Sequence, residues 1–266
     1  MNSHQPKYFS PSNIKDSFLR FRSIVGHVAK SFIPVFGNRV VFPLLLKSCM
    51  KHDNFCLNPY IASYFFKEKL FVTLRPSEIT LLMRDWVVIE QSKKHMSDYF
   101  ISDGEWSEIT AEINSMPVLK EAQQLMQKEW DFKRTEIYAE LIQKMKNGTP
   151  SKKQHILLDT TEKIDNYFLG YTKVYHSIKK HGFQNALSDS RNIGISIDKD
   201  GTISKLPGGQ HRFSIAYILD LPSISVEIRM IHREYLQKIC NQYGLNYIDG
   251  VLKIAQLFNQ RATNEC

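Results

Sequence analysis

The sequence predicts an α+β fold, and three observations carry that prediction. The apolar period changes near Gly182 from helical to alternating. An Asp-Gly turn then separates two alternating segments. A glycine pair finally stands ahead of a short helical stretch. Residues 192–198 (NIGISID) alternate as a strand, and Lys199, Asp200 and Gly201 form the turn. Residues 202–206 return as a second strand. Pro207, Gly208 and Gly209 break it, and 210–219 read as helix. A third strand is expected over 223–231, after Leu221 and Pro222. Two further helices, near 233–243 and 249–260, close the pattern.

The earlier part of the chain is mainly helical in pattern. Residues 117–146 read as one long helix ended by Asn147, Gly148, Thr149 and Pro150. A polar connection over 149–158 leads to a helix from about Thr161 to His181 that stops at Gly182. Residues 34–90 look mixed, with short strands at 70–74 (LFVTL) and 86–90 (WVVIE) and a helix expected between Pro76 and Met83.

Charge is distributed unevenly. The 266 residues carry a formal net charge of +8. Residues 1–52 hold eight basic side chains against Asp16 alone, so the rest is close to neutral. A neutral body argues against nucleic acid as a partner, because a DNA-binding domain spreads its basic footprint over the body. Within the arm, Ile14, Phe18, Phe21, Val25, Val28 and Phe32 form an apolar stripe flanked by lysines and arginines. Residues 12–33 therefore read either as a basic helix lying on an anionic membrane or as a helix packed on the body. Cys49, Cys56, Cys240 and Cys266 have no metal-ligand spacing and read as reduced thiols. The first 15 residues lack the apolar core of a signal peptide, and the apolar run at 40–46 is too short to span a bilayer. A cytoplasmic protein, peripheral to the inner membrane where the arm engages it, is the expectation.

The chemistry concentrates in residues 206–212 (LPGGQHR). A helix start leaves its first N–H groups unpaired and carries partial positive charge. Gly208 and Gly209 let backbone approach a ligand closely, and His211 and Arg212 add donors beside those amides. Together these parts read as a phosphate cradle. The plainer alternative is a strand–helix turn in which Arg212 makes a salt bridge.

The stretch GISIDKDGTISKLPGGQHRFSIAYILDLPSISVEI resembles the ParB/sulfiredoxin superfamily, whose core is a strand, Gly-x-His-Arg, a helix, a short loop and a strand. Gly209, Gln210, His211, Arg212, Ala216 and residues 226–228 occupy those places, and KVYHSIKKHGF at 173–183 resembles the preceding helix. Gly104, Glu105 and Trp106, then Trp130, Thr135 and Tyr138, and His232 with Tyr235, resemble a subgroup associated with surface-polysaccharide gene clusters. The similarity covers about residues 85–240. It leaves residues 1–84 uncovered, which read as a basic amphipathic N-terminal arm and helical extension, and implies a ParB/sulfiredoxin-like nucleotide-binding domain with C-terminal helices over 85–266.

Sulfiredoxins use a cysteine where this chain has Gln210, which excludes their reaction. Partitioning ParB proteins add a helix-turn-helix domain not seen here. Free-serine kinases of the superfamily bind a nucleotide in the same cradle, and that comparison implies an ATP-dependent kinase (with ADP or CTP as other nucleotides) and Mg2+ on the phosphates. The acceptor would be a hydroxyl of a sugar or amino-acid-like precursor in envelope-polysaccharide biosynthesis. A non-catalytic nucleotide- or DNA-binding regulator is the alternative. Kinase-like members carry Asp where this chain has Gly208.

By this resemblance Gly208, Gly209, Gln210, His211 and Arg212 bind nucleotide. Lys173 and Ser177, one turn apart on the preceding helix, join them or are solvated surface residues. Glu105 is the preferred catalytic acid in place of the missing Asp, with Asp200 and His211 as further catalytic candidates. Asp103 and His232 are expected to touch substrate. Trp106 and Trp130 read as core.

Overall fold

The computed structural model describes residues 41–51, 57–84, 88–89, 94–95, 99–106, 109–153, 156–184 and 192–264. The amphipathic stretch at 12–33 lies outside them. The chain divides into two compact units, 1–48 and 49–266. In the first, the described residues begin helix α1 (Val41–Lys51). The second unit holds the sheet and all the other described helices. Among the described residues, no helix is long and apolar enough to cross a membrane.

The fold is α+β, as expected. After helix α2 (Pro59–Phe66) come β1 (Phe71–Leu74), β2 (Leu81–Met83), β3 (Val88–Ile89), β4 (Lys94–His95), β5 (Ile101–Ser102) and β6 (Thr110–Glu112). Helices α3 (Pro117–Gln127) and α4 (Glu136–Lys146) precede a small hairpin, β7 (Lys152–Lys153) and β8 (Ile156–Leu157). Helix α5 (Thr161–His181), β9 (Gly194–Ile197), β10 (Ile203–Lys205), α6 (Gln210–Ile218), β11 (Ile224–His232), α7 (Arg233–Tyr243) and α8 (Tyr247–Asn264) complete the chain.

The main sheet has the order β1-β11-β9-β10-β2-β6, with β5 also beside β11. β11 runs parallel to β9 and antiparallel to β1, and β9 pairs antiparallel with β10. β11 is nearly all buried because it has partners along both edges, which explains its continuous apolar run. β1 and β2 come from residues that the sequence assigned to the N-terminal extension, yet they complete this sheet. The helix expected between Pro76 and Met83 is only a 3-10 turn at Pro76–Glu78. Leu81–Met83 instead pair in parallel with β10, because the open edge of that strand offers an apolar triplet more than a second helical turn would.

The long helix expected over 117–146 is two helices. The break falls where Glu129 and Trp130 take positive φ values of 53° and 66°. The turn lets the Trp130 ring stack on Tyr175 at 3.9 Å, and Thr135 then caps α4 by accepting from the Tyr138 N–H. Helix α5 runs as expected: Thr160 caps its start, Gly182 ends it at φ 70°, and Ile164, Tyr167, Phe168, Tyr171, Tyr175 and Ile178 form its buried face. That face joins α3, α4 and Ile215 of α6 in one apolar cluster. Trp106 and Trp130 are both buried, as the sequence suggested.

Phe168 is fully buried and stacks on Phe132 with rings 5.4 Å apart. Phe168→Ala is expected to cost about 3–5 kcal/mol of stability, read as a fall in the urea midpoint with an unchanged slope.

Candidate functional site

The glycine loop is organised from beneath by a residue that the motif does not include. Lys205, the last residue of β10, is fully buried. Its ammonium donates to the Leu206 carbonyl at 2.8 Å and the Gly208 carbonyl at 2.6 Å. The peptide bonds are trans, so a carbonyl drawn toward Lys205 turns the following N–H away from it. Gly209 thereby presents its N–H on the side opposite the lysine. Gly208 has φ 93° and Gly209 φ 62°, conformations costly for other residues. A Cβ at Gly208 would meet open space, whereas one at Gly209 would press on Ile193 at 3.2 Å. Gly209 is the N-cap of α6 and brings no side-chain cap, and the first helical bond runs from the Phe213 N–H to the Gly209 carbonyl. The result is a set of backbone amides at a helix start with a buried cation behind them, an arrangement suited to an anion.

His211 sits in the first turn of α6 and faces α5. Its Nε2 lies 3.2 Å from the Tyr167 hydroxyl, and the Tyr171 ring meets it edge-on at 4.5 Å. Tyr167 donates to the Glu121 carboxylate at 2.6 Å, and Lys153 closes an ion pair on the other oxygen of that carboxylate. Burial holds the imidazole below its ordinary pKa of 6.5, against an opposing pull from Glu121, while Lys153 and Lys205 add to the lowering. Burial first, and then the Glu121 charge, push the Tyr167 hydroxyl well up.

Other predicted residues stand elsewhere. Arg212 stacks on the Phe183 ring at 4.4 Å and donates to the Gln184 carbonyl, so its guanidinium is turned to the segment after α5. Gln210 is half-buried as the first residue of α6. Lys173 and Ser177 are exposed. Neither belongs to the buried stripe of α5 on which Tyr167 and Tyr171 meet His211.

The remaining candidates gather at the other end of the sheet. Asp200 is in the turn that begins β10, while the glycine loop comes after that strand, whose three residues span about 10 Å of extended chain. Lys199 of the same turn holds both oxygens of Glu105 at 2.8 Å. That contact lowers the Glu105 pKa and raises that of Lys199. His232 lies abreast of this turn, since Ile231 pairs with Ile197. Its Nδ1 accepts from the Glu234 N–H at 3.2 Å, and its Nε2 then donates to the Gly104 carbonyl at 3.0 Å. It is buried, with both ring nitrogens engaged. Asp103 pairs with buried Arg233 at 3.0 Å. Trp106 bridges the two ends: its ring meets His232 edge-on and packs with Leu206, Met83 and Met230.

Sequence reasoning missed Lys205, Glu121, Lys153, Tyr167 and Tyr171. Two signals were available. Lys205 interrupts a strand whose other residues face inward. Tyr167 and Tyr171 sit four apart on an apolar stripe, where a buried phenol requires a partner. Among the described residues no group of three or more His, Cys, Asp or Glu side chains is placed to hold a metal ion, so no protein ligand set for Mg2+ is assigned.

No family model, curated protein or solved structure matches this chain.

A histidine held neutral by burial weakens the fold when the unfolded state takes up the proton first. Stability is therefore expected to be fully present above pH 6.5 and to fall as the pH drops from there through the lowered folded-state value. Urea denaturation of the protein and of His211→Gln from pH 7.5 to 5 checks this: the variant should lose part of the slope below pH 6.5, and equal slopes would contradict it.

Proposed function

We propose that residues 206–212 bind the phosphates of a nucleotide, ATP in the first instance with ADP and CTP as alternatives, and that the chain is a kinase for a small-molecule hydroxyl. The observation that carries this reading is the Lys205-braced glycine loop at the start of α6. A buried cation, a left-handed glycine pair and an uncapped helix start converge on one spot. The resemblance of this segment to the ParB/sulfiredoxin superfamily points the same way.

In this reading Gly209 and the first amides of α6 hold the phosphates, and Lys205 keeps the loop in shape without touching them. Mg2+ would ride on the phosphates and shield their charge. His211 is the acid–base candidate, because burial keeps its imidazole neutral and able to take a proton from an acceptor hydroxyl at neutral pH. Glu105 and Asp200 stand at the far end of β10, so the base moves from them to His211. Arg212 joins the phosphates only by leaving Phe183 and Gln184. The acceptor class, a sugar or amino-acid-like precursor of envelope polysaccharide, rests on the resemblance alone. A contact of residues 12–33 with anionic membrane rests on their sequence pattern alone.

The distance of Asp103, Glu105, Asp200 and His232 from the loop favours a second reading, a nucleotide-binding regulator without chemistry. Titration of the full chain with ATP, ADP and CTP, followed by turnover against a panel of sugars and amino acids, separates the two. The kinase reading expects binding and turnover, with Gly208→Ala weakening ATP about tenfold, or about 1.4 kcal/mol. Binding without turnover supports the regulator, and no binding of any of the three nucleotides defeats both.

A further inference from the structure

We infer that Glu121 is a positioning residue for His211, acting through the Tyr167 hydroxyl to fix which ring nitrogen carries the proton. The inference rests on the reading of His211 as the acid–base group of the loop. It stands on the donor and acceptor count along one chain of side chains. Glu121 on α3 is 2% exposed, and its carboxylate is ion-paired with Lys153 of β7. An ionised carboxylate only accepts hydrogen bonds, so the contact of 2.6 Å with Tyr167 uses the single hydroxyl proton of that residue. The phenol oxygen has only lone pairs left for His211. Its contact of 3.2 Å with Nε2 is therefore made by an Nε2–H donor, and the neutral ring keeps its lone pair on Nδ1. The second nitrogen of a histidine is set in this way by the bond made at the first.

The charged and titratable groups that face the ring come from every side packed on it. Glu121 and Lys153 approach through Tyr167, Lys205 lies on the β10 side, and the phenols of Tyr167 and Tyr171 come from α5. Only Tyr167 among the α5 phenols bonds to both the carboxylate and the imidazole, since the Tyr171 hydroxyl donates to the Val118 carbonyl. The loop thus has a second support besides Lys205: one holds the backbone, and the other holds the ring.

Glu121→Gln supplies the discriminating case. Its amide oxygen would stay with Lys153 and its NH2 would turn to Tyr167. The hydroxyl proton then swings to His211 Nε2, and the ring proton moves to Nδ1. Nitrogen-15 spectra of the histidine rings in the full chain, recorded above pH 7, read this directly. The expected results are Nε2–H in the unaltered protein, Nδ1–H in Glu121→Gln, and a mixture of both forms in Tyr167→Phe, which has no acceptor. An Nδ1–H ring in the unaltered protein overturns the inference, and so does a folded Glu121→Gln protein with an unchanged ring. If Glu121→Gln does not fold, the unaltered chain and Tyr167→Phe decide. Titration of the same samples with ATP, ADP and CTP keeps the two ideas apart: no binding of any of the three defeats the nucleotide reading and leaves the tautomer result standing.

Discussion

The arrangement around the loop depends on a single buried ammonium. An unpaired charge inside a protein costs several kcal/mol, and Lys205 offsets that cost by bonding to two backbone carbonyls in the turn that succeeds it. The constraint acts in both directions. The lysine is tolerable only because the loop bends back over it, and the loop bends back because two glycines allow positive φ. The direction of the Gly209 N–H, the starting angle of α6 and the placing of His211 against Tyr167 and Tyr171 follow from that one exchange.

The sheet gives the molecule two polar ends with different characters. At the loop end the charges are connected and mostly buried: Lys205 and Glu121 are buried, Lys153 is half-buried, each has short partners, and the imidazole among them is held neutral. At the turn end the ion pair of Glu105 and Lys199 is solvent-facing, and such exposed pairs contribute little to stability. His232 and Asp103 are committed to the strand end and to the start of α7. At the turn end the polar side chains are taken up by contacts with their neighbours, whereas at the loop end the glycine pair leads into a helix start with no side-chain cap.

Much of the fold was legible from the sequence where pattern and packing agree. Helix α5, the Asp-Gly hairpin, β11 and α7 carry clear periods, caps and breakers, and the structure places them close to where those signals stand. The failures share a cause. Leu81–Met83 is too short to declare a period, and its state is decided by the neighbouring edge of β10 rather than by its own residues. The break between α3 and α4 depends on Trp130 reaching Tyr175, a contact invisible to local propensity. The candidate site divides in the same way. Gly208, Gly209 and His211 were legible because glycine turns and helix starts have local signatures. Glu121, Lys153 and Tyr167 meet His211 only through tertiary packing of three separate elements.

The strand pairing also dictates an order of assembly. β1 and β2 precede α3, yet their partners β11 and β10 lie far along the chain: Phe71 aligns with Glu227 and Leu81 with Ser204. During synthesis β1 must wait for β11, and β2, which can pair with β6 on one edge, must wait with its other edge open until β10 emerges. Such long-range closure slows folding and leaves a window for intermolecular pairing. The helical cluster of α3, α4 and α5 waits only for α6 and the residues after it (Ile215, Ile218, Leu219 and Leu221), so it is the part equipped to form first and to receive the sheet.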